Sequence, residues 1–584
     1  VAAQGRHKAC PYKNHPSRLL CLYLVTACGQ VGEAPEEGAA PAVEEEAVPA
    51  EEEAAPAEEE AAGKVITITY LEEPNNLNPL YTDMWFSWIT WDLFLPGLWN
   101  IDENGEFVPE LAAEFPTMEN GLVSEDGLVI TIPLREDLVW SDGTPLTSAD
   151  FVFTYEMRMS DANTVLSRYP YDTYVESITA PDEHTIQITL NDTYVDWATA
   201  FFVRDNRVLP MHILQPVFES EGTLDNAEWN RNPTVGCGPF VIREWVAGSH
   251  LILDANDNYW RGRPNLDEID IRIVPDRAAQ LAALDAGDSD IGTYILGSDA
   301  PTIEGMGDVV LQTAFAGWSQ VIFLNLDPAT AHPAMTDARV REAIELAIDR
   351  QLLIDTLFYG LYEIPATYWH GTIFDNPDIE PRPYDPDEAR ALLESAGWVD
   401  ENGDGIREQN GVDLTLRYSA ASGSEVIEAN SVALQQMLAD VGINMEINNM
   451  TTDLLWSTYA DGGPIATGQY DMAQWSDGMW YFPSPDTSYF LCDQIPTDEN
   501  PDGYNWYGIC DPEMDQLFQD QAVTADMDAR VEMFHRIGQI MHDQTMIILM
   551  RTDTDIWAVN TRLTNVRFSG ASPLMYAYEW DVTE

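Results

Sequence analysis

Residues 134–152 read Leu134-Arg135-Glu136-Asp137-Leu138-Val139-Trp140-Ser141-Asp142-Gly143-Thr144-Pro145-Leu146-Thr147-Ser148-Ala149-Asp150-Phe151-Val152. Asp142 to Pro145 is a turn, with Gly supplying a positive φ and Pro fixing the exit. Thr147 is placed to cap a helix that begins at Ser148. Asp150, at the third helical position, is the acid that completes a capping box. Upstream, Val129–Leu134 alternates as a strand. A strand, a tight turn and a capped helix therefore succeed one another.

The same alternation of strand and helix extends outward. Val65–Tyr70, Thr185–Leu190 and Ile269–Val274 alternate as strands. Asp337–Tyr359 carries Val340, Ile344, Ala347 and Ile348 at helical spacing. Asp385 caps a further helix, with Pro386 at its first position, Glu388 at the third and Gly397 as its stop. Val426–Val441 is an amphipathic helix closed by Gly442, and the strand-like Ile443–Ile447 follows. Gly236 and Gly238 predict a tight backbone passage into a strand at Phe240-Val241-Ile242. Helices and strands mixed throughout indicate an α/β protein.

Composition narrows the function. Of 584 residues, 99 are acidic and 28 basic, a formal charge of −71. That excess opposes binding to nucleic acid or to anionic membranes, and favours cationic ligands near a focusing cleft. Eighteen Trp and 45% apolar residues supply a sizeable core. The six cysteines show no CxxC or Cys/His zinc spacing, so no metal is expected. Walker, Rossmann and nucleophile-elbow motifs are also missing, so no cofactor and no catalytic residues are expected.

The first sixty residues read as address and tether. A basic start leads into the short apolar run Leu19–Ala27, then Cys28. That is the pattern of a secretory signal. Val25-Thr26-Ala27-Cys28 resembles a lipobox, which makes Cys28 the expected lipidation site after a leader spanning 1–28. Residues 29–63 repeat EEEAVPA and EEEAAPA. Pro and repelling charge make this an extended linker.

Several motifs in order resemble the periplasmic dipeptide- and oligopeptide-binding receptors, family 5 of the ABC-transporter solute-binding proteins. Leu77-Asn78-Pro79-Leu80 and Phe107-Val108-Pro109-Glu110-Leu111-Ala112 come first. The 134–152 stretch is the most specific. Gly236-Cys237-Gly238-Pro239-Phe240, Asn258-Tyr259-Trp260-Arg261-Gly262, Ala283–Ile291, Phe323-Leu324-Asn325, Arg339–Ala343 with Ala347–Arg350, Tyr384-Asp385-Pro386 and Ala396-Gly397-Trp398 follow.

The resemblance implies a two-lobed, hinged fold with a subdomain inserted in the first lobe. Lobe I would comprise 64–96, 228–318 and 552–584, the insertion 97–227, and lobe II 319–551. It implies a monomeric receptor, not an enzyme, that captures a small peptide and passes it to a membrane permease. Oligosaccharide, opine or nickel-chelate ligands remain open, and an exported hydrolase or a surface chaperone is the alternative of a different class. Relatives pair the peptide α-amino group with a carboxylate just after a YDxxxxxW strand. Here that strand is Tyr470–Trp475 and the candidate is Asp477, one position earlier than usual. The alternative is that Asp477 shapes a turn with Gly478. Trp475, Trp480 and Tyr481 beside it, and Tyr81 and Trp85 in the other lobe, are candidate ligand contacts, with core packing as the alternative. A disulfide between Cys492 and Cys510 is implied by dipeptide-binding relatives. Asp400–Gly405 imitates the start of a calcium loop, but Gly411 stands where the loop needs a bidentate Glu.

Overall fold

The computed structural model describes residues 63–204, 206–478 and 489–583. The leader, the linker up to residue 62, Cys28, Trp480 and Tyr481 lie outside the described residues.

The 134–152 stretch folds as its chemistry dictates. Gly143 adopts φ 84°, and the Trp140 N–H donates to the Thr144 carbonyl at 2.7 Å across the turn. The helix runs Ser148–Met159, and Asp150 Oδ2 accepts from the Thr147 N–H at 2.9 Å. Asp150 Oδ1 accepts from the Met211 N–H at 3.0 Å, so one buried carboxylate joins two helix starts. Phe151, Phe153 and Met157 are buried. The helix packs on a three-stranded antiparallel sheet, ordered Val129–Pro133, Thr185–Leu190, Val175–Asp182.

A ten-stranded mixed sheet organises the rest. Its order is Asn444–Ile447, Thr415–Ala420, Met472–Asp477, Val309–Leu324, Ile547–Asn560, Ile291–Gly292, Val65–Tyr70, Glu268–Ile273, His250–Ala255, Phe240–Val246. The two central strands, 16 and 14 residues long, pair antiparallel. At the rise of an extended chain, the longer one spans about 50 Å. Their pairing runs from Val309↔Asn560 to Phe315↔Thr554 and resumes from Ser319↔Thr552 to Phe323↔Ile547. Register shifts fall between Phe315 and Ser319 and again between Gln320 and Val321. On one side of this break the ribbon borders Ile291–Gly292, and on the other it borders Met472–Asp477. Two sheets are thus joined through one ribbon that is irregular at its middle.

The core divides the same way. One apolar cluster gathers Ile66 to Ile291 with Trp557 to Trp580. Two further clusters draw on Val321 to Met550. Each lobe of this two-lobed α/β fold therefore has its own interior.

Gly236 and Gly238 have no room for a side chain. A Cβ on Gly236 would stand 2.3 Å from the Phe94 carbonyl oxygen, and one on Gly238 2.6 Å from that of Leu93. The Cys237 and Gly238 N–H groups both donate to the Phe94 carbonyl, at 2.9 and 3.0 Å.

One expectation is corrected. The periodic stretch Asp337–Tyr359 is two helices, Ala338–Leu346 and Arg350–Leu357. Asp349 ends the continuity, because its carboxylate accepts from the Leu352 N–H at 2.9 Å and starts a new helix. Apolar spacing carries across such a break, so periodicity alone does not show it.

Candidate ligand-binding site

Asp477 ends the strand Met472–Asp477, paired with Ser319 on the first crossing strand just where the ribbon's register breaks. Gly478 follows because nothing larger fits: a Cβ there would stand 2.8 Å from the Gly317 carbonyl oxygen. Asp477 Oδ1 accepts from the Gly478 N–H at 2.9 Å, so the turn-shaping role is real. Oδ2 is less committed. It accepts long bonds from Trp475 Nε1 and the Tyr507 hydroxyl, both at 3.4 Å. The Tyr368 hydroxyl is a further donor to this carboxylate.

All these partners are neutral, and no cation pairs with Asp477 among the described residues. Burial therefore pushes its pKa up to about 6, against the pull of the donors. Burial, then the Asp477 charge, pushes the Tyr368 and Tyr507 phenols up in turn. A part-buried carboxylate with a weakly held oxygen and no counterion suits a ligand cation.

Trp475 supports that carboxylate. Its ring stacks on Phe323 at 4.4 Å and meets Trp456 edge-on at 4.9 Å, and it belongs to the lobe's packing as much as to the site. Phe323 also stacks on Tyr507 at 4.1 Å. Cys492 and Cys510 are bonded to each other, closing the loop that delivers Tyr507.

In the other lobe, Trp85 opens the helix Trp85–Phe94. It meets Tyr294 edge-on at 5.8 Å and lies 6.1 Å from Trp557 on the second crossing strand. Tyr81 turns elsewhere. Its hydroxyl lies beside Asp225, and burial and that carboxylate push its pKa up. The structure thus groups Trp475 with Asp477 and places Trp85 at the crossing strand, while Tyr81 joins the segment 97–227. Tyr368 and Tyr507 were not legible in sequence, since they reach Asp477 from distant irregular segments with no motif of their own.

The calcium-like loop uses its oxygens internally. Asp400 accepts from the Gly403 and Gly405 N–H groups at 2.6 and 3.0 Å, and Asp404 from that of Ile406 at 2.9 Å. No group of three potential metal ligands is found among the described residues. No described helix is long and apolar enough to cross a membrane.

Two lobes joined through a two-stranded ribbon are the architecture of a two-lobed binding protein. The family model for bacterial extracellular solute-binding proteins, family 5 (Middle), matches residues 106–496. The chain belongs to that family, and it is a binding protein of ABC transport, not an enzyme. It is 26% identical to the oligopeptide-binding protein AppA of Bacillus subtilis over 501 residues, covering 83% of this chain and 86% of that protein. It is 24% identical to the nickel-binding periplasmic protein of Escherichia coli over 467 residues, covering 76% of this chain and 81% of that one. The fold is similar to the crystal structure of an ABC transporter substrate-binding protein from Sinorhizobium meliloti. That likeness has a TM-score of 0.73 at 20% identity and covers 89% of this chain and all of the other.

Proposed function

We propose that this chain captures small peptides between its lobes and delivers them to a membrane permease. The observation that carries the ligand class is Asp477, a part-buried carboxylate with neutral partners and one loosely held oxygen. A peptide's α-ammonium would supply the missing charge. The relative named for oligopeptide binding supports the same reading. We place the lobe boundaries at 318/319 and 551/552, and the register break at Phe315–Ser319 supports that division. The inserted subdomain is 97–227. Closure about the ribbon would be a hinge motion that buries the ligand.

The chain acts as a monomer held at the cell surface. Leader 1–28 directs export, Cys28 takes the lipid, and the Glu/Ala/Pro linker holds the lobes away from the membrane. The leader's basic start, its apolar run and the Val25–Cys28 pattern support this tether.

Calorimetric titration with tri- to pentapeptides tests the ligand class. Peptides with a free amino terminus are expected to bind, and N-acetylated ones to bind at least tenfold more weakly. Saturation by nickel–histidine or by cello-oligosaccharides, with no heat from any peptide, would overturn the peptide reading.

A further inference from the structure

The second crossing strand presents Asp553, Asp555 and Trp557 at alternate positions, hence on one face. The two acids are satisfied very differently. Asp553 accepts from Ser476 Oγ, from Gln320 Nε2 at 3.3 Å and from Arg551 Nη1 at 2.7 Å. Asp555, opposite Ala314, receives no hydrogen bond and no ion pair among the described residues, although it is part-buried. Burial, with the nearby Asp553 charge, pushes its pKa up to about 7.

The neighbouring cations are already committed. Arg551 is held by Asp553 and lies over the rings of Phe358 and Tyr362, at 4.2 and 4.5 Å. Arg277 pairs with Asp299 at 2.9 Å and donates to the Tyr294 carbonyl at 3.3 Å.

Aromatic rings stand beside the unpaired acid. The Ile295 N–H donates to the Ile556 carbonyl at 3.3 Å, which sets Tyr294 next to Asp555. Burial raises the Tyr294 phenol first, and the Asp555 charge adds to it. Tyr294 is 41% exposed, and its ring makes an edge contact with Trp85. Tyr294 itself holds φ 58°, a strained conformation for a residue with a Cβ. A carboxylate partly withdrawn from water without a counterion is costly, and packing alone would be served better by an apolar residue. Aromatic faces beside it complete a cation's coordination.

We propose that Asp555, with Trp85 and Tyr294, forms a second subsite that takes a cationic ligand side chain, an ammonium or a guanidinium. The subsite rests on the peptide reading above and gives it a specificity: peptides carrying Lys or Arg.

The test compares Lys-Ala-Ala, Ala-Lys-Ala and Ala-Ala-Lys with their norleucine counterparts by calorimetry, on wild type, Asp555→Asn and Trp85→Leu. In wild type, one lysine isomer is expected to bind at least about tenfold more tightly than its counterpart. Asp555→Asn is expected to bring that ratio to within about threefold of unity, and Trp85→Leu to lower it. Equal binding of both peptides in wild type, or an undiminished ratio in Asp555→Asn, would overturn the subsite. If no peptide binds wild type, the peptide reading fails by itself. Agmatine then decides the subsite by melting temperature: a rise in wild type that Asp555→Asn abolishes upholds it. No rise, or an equal one in the variant, overturns it.

Discussion

Asp477 and Asp555 hold pKa values of about 6 and about 7, above the ordinary 3.8, because burial opposes their charged forms. A raised carboxylate pKa keeps the folded state more protonated than the unfolded one. Stability contributed by these groups therefore falls as pH rises from about 4 to about 7, and changes little above that. Melting curves without ligand should show Asp477→Asn gaining on wild type between about pH 4 and about pH 6; a constant difference would contradict the assignment. Peptide affinity should move oppositely, rising with pH through about 6 as Asp477 ionises. At pH 7.5, Asp477→Asn is expected to weaken free-amino peptides by roughly 30-fold or more, the usual loss for one partner of a desolvated charge pair. Asp477 was reachable from sequence only because its strand resembles a known one. Asp555 was not, since an acid on an alternating strand looks solvent-facing until the opposite wall is known.

The elements were more legible, because their ends are written in local chemistry. Asp385, read as a cap from sequence, accepts from the Glu388 N–H; Ser424, Asp511 and Asp526 cap their helices in the same way, although the sequence reading did not single them out. The Gly236–Gly238 passage was legible for the same reason, and Gly236→Ala should destabilise the fold by about 1–3 kcal/mol in urea denaturation, as overpacking does. An unchanged midpoint would show that the Phe94 backbone yields easily. The loop between Cys492 and Cys510 offers a further measurement. Replacing both by Ser is expected to lower stability by about 3 kcal/mol, the entropy of a loop of this length. It should also weaken peptide binding, since the loop positions Tyr507 against Asp477. Loss of stability with unaltered affinity would separate Tyr507 from the site. The interrupted helix at 337–359 shows where reading by period stops: spacing reports which residues face the core, not whether the backbone between them is continuous.

Across the whole molecule, the division into lobes depends on two strands that meet only after most of the second lobe has been threaded between them. Neither Val309–Leu324 nor Ile547–Asn560 announces its partner, because pairing between such distant segments leaves no local pattern. The resemblance supplied that architecture, and the family match and the solved fold agree with it. A ribbon irregular at its middle, between lobes with separate cores, should bend there while each lobe stays rigid. X-ray scattering should therefore show a smaller radius of gyration with saturating ligand than without. The claim at the centre is narrower: an ammonium on a peptide meets the carboxylate of Asp477. It is tested most directly by calorimetry of one free-amino tripeptide and its N-acetylated form on wild type and Asp477→Asn. The account predicts tight binding only for the free peptide on wild type, with acetylation and the substitution each removing most of it and adding little to one another. Equal affinity of both peptides for wild type, or full affinity retained by Asp477→Asn, would contradict it.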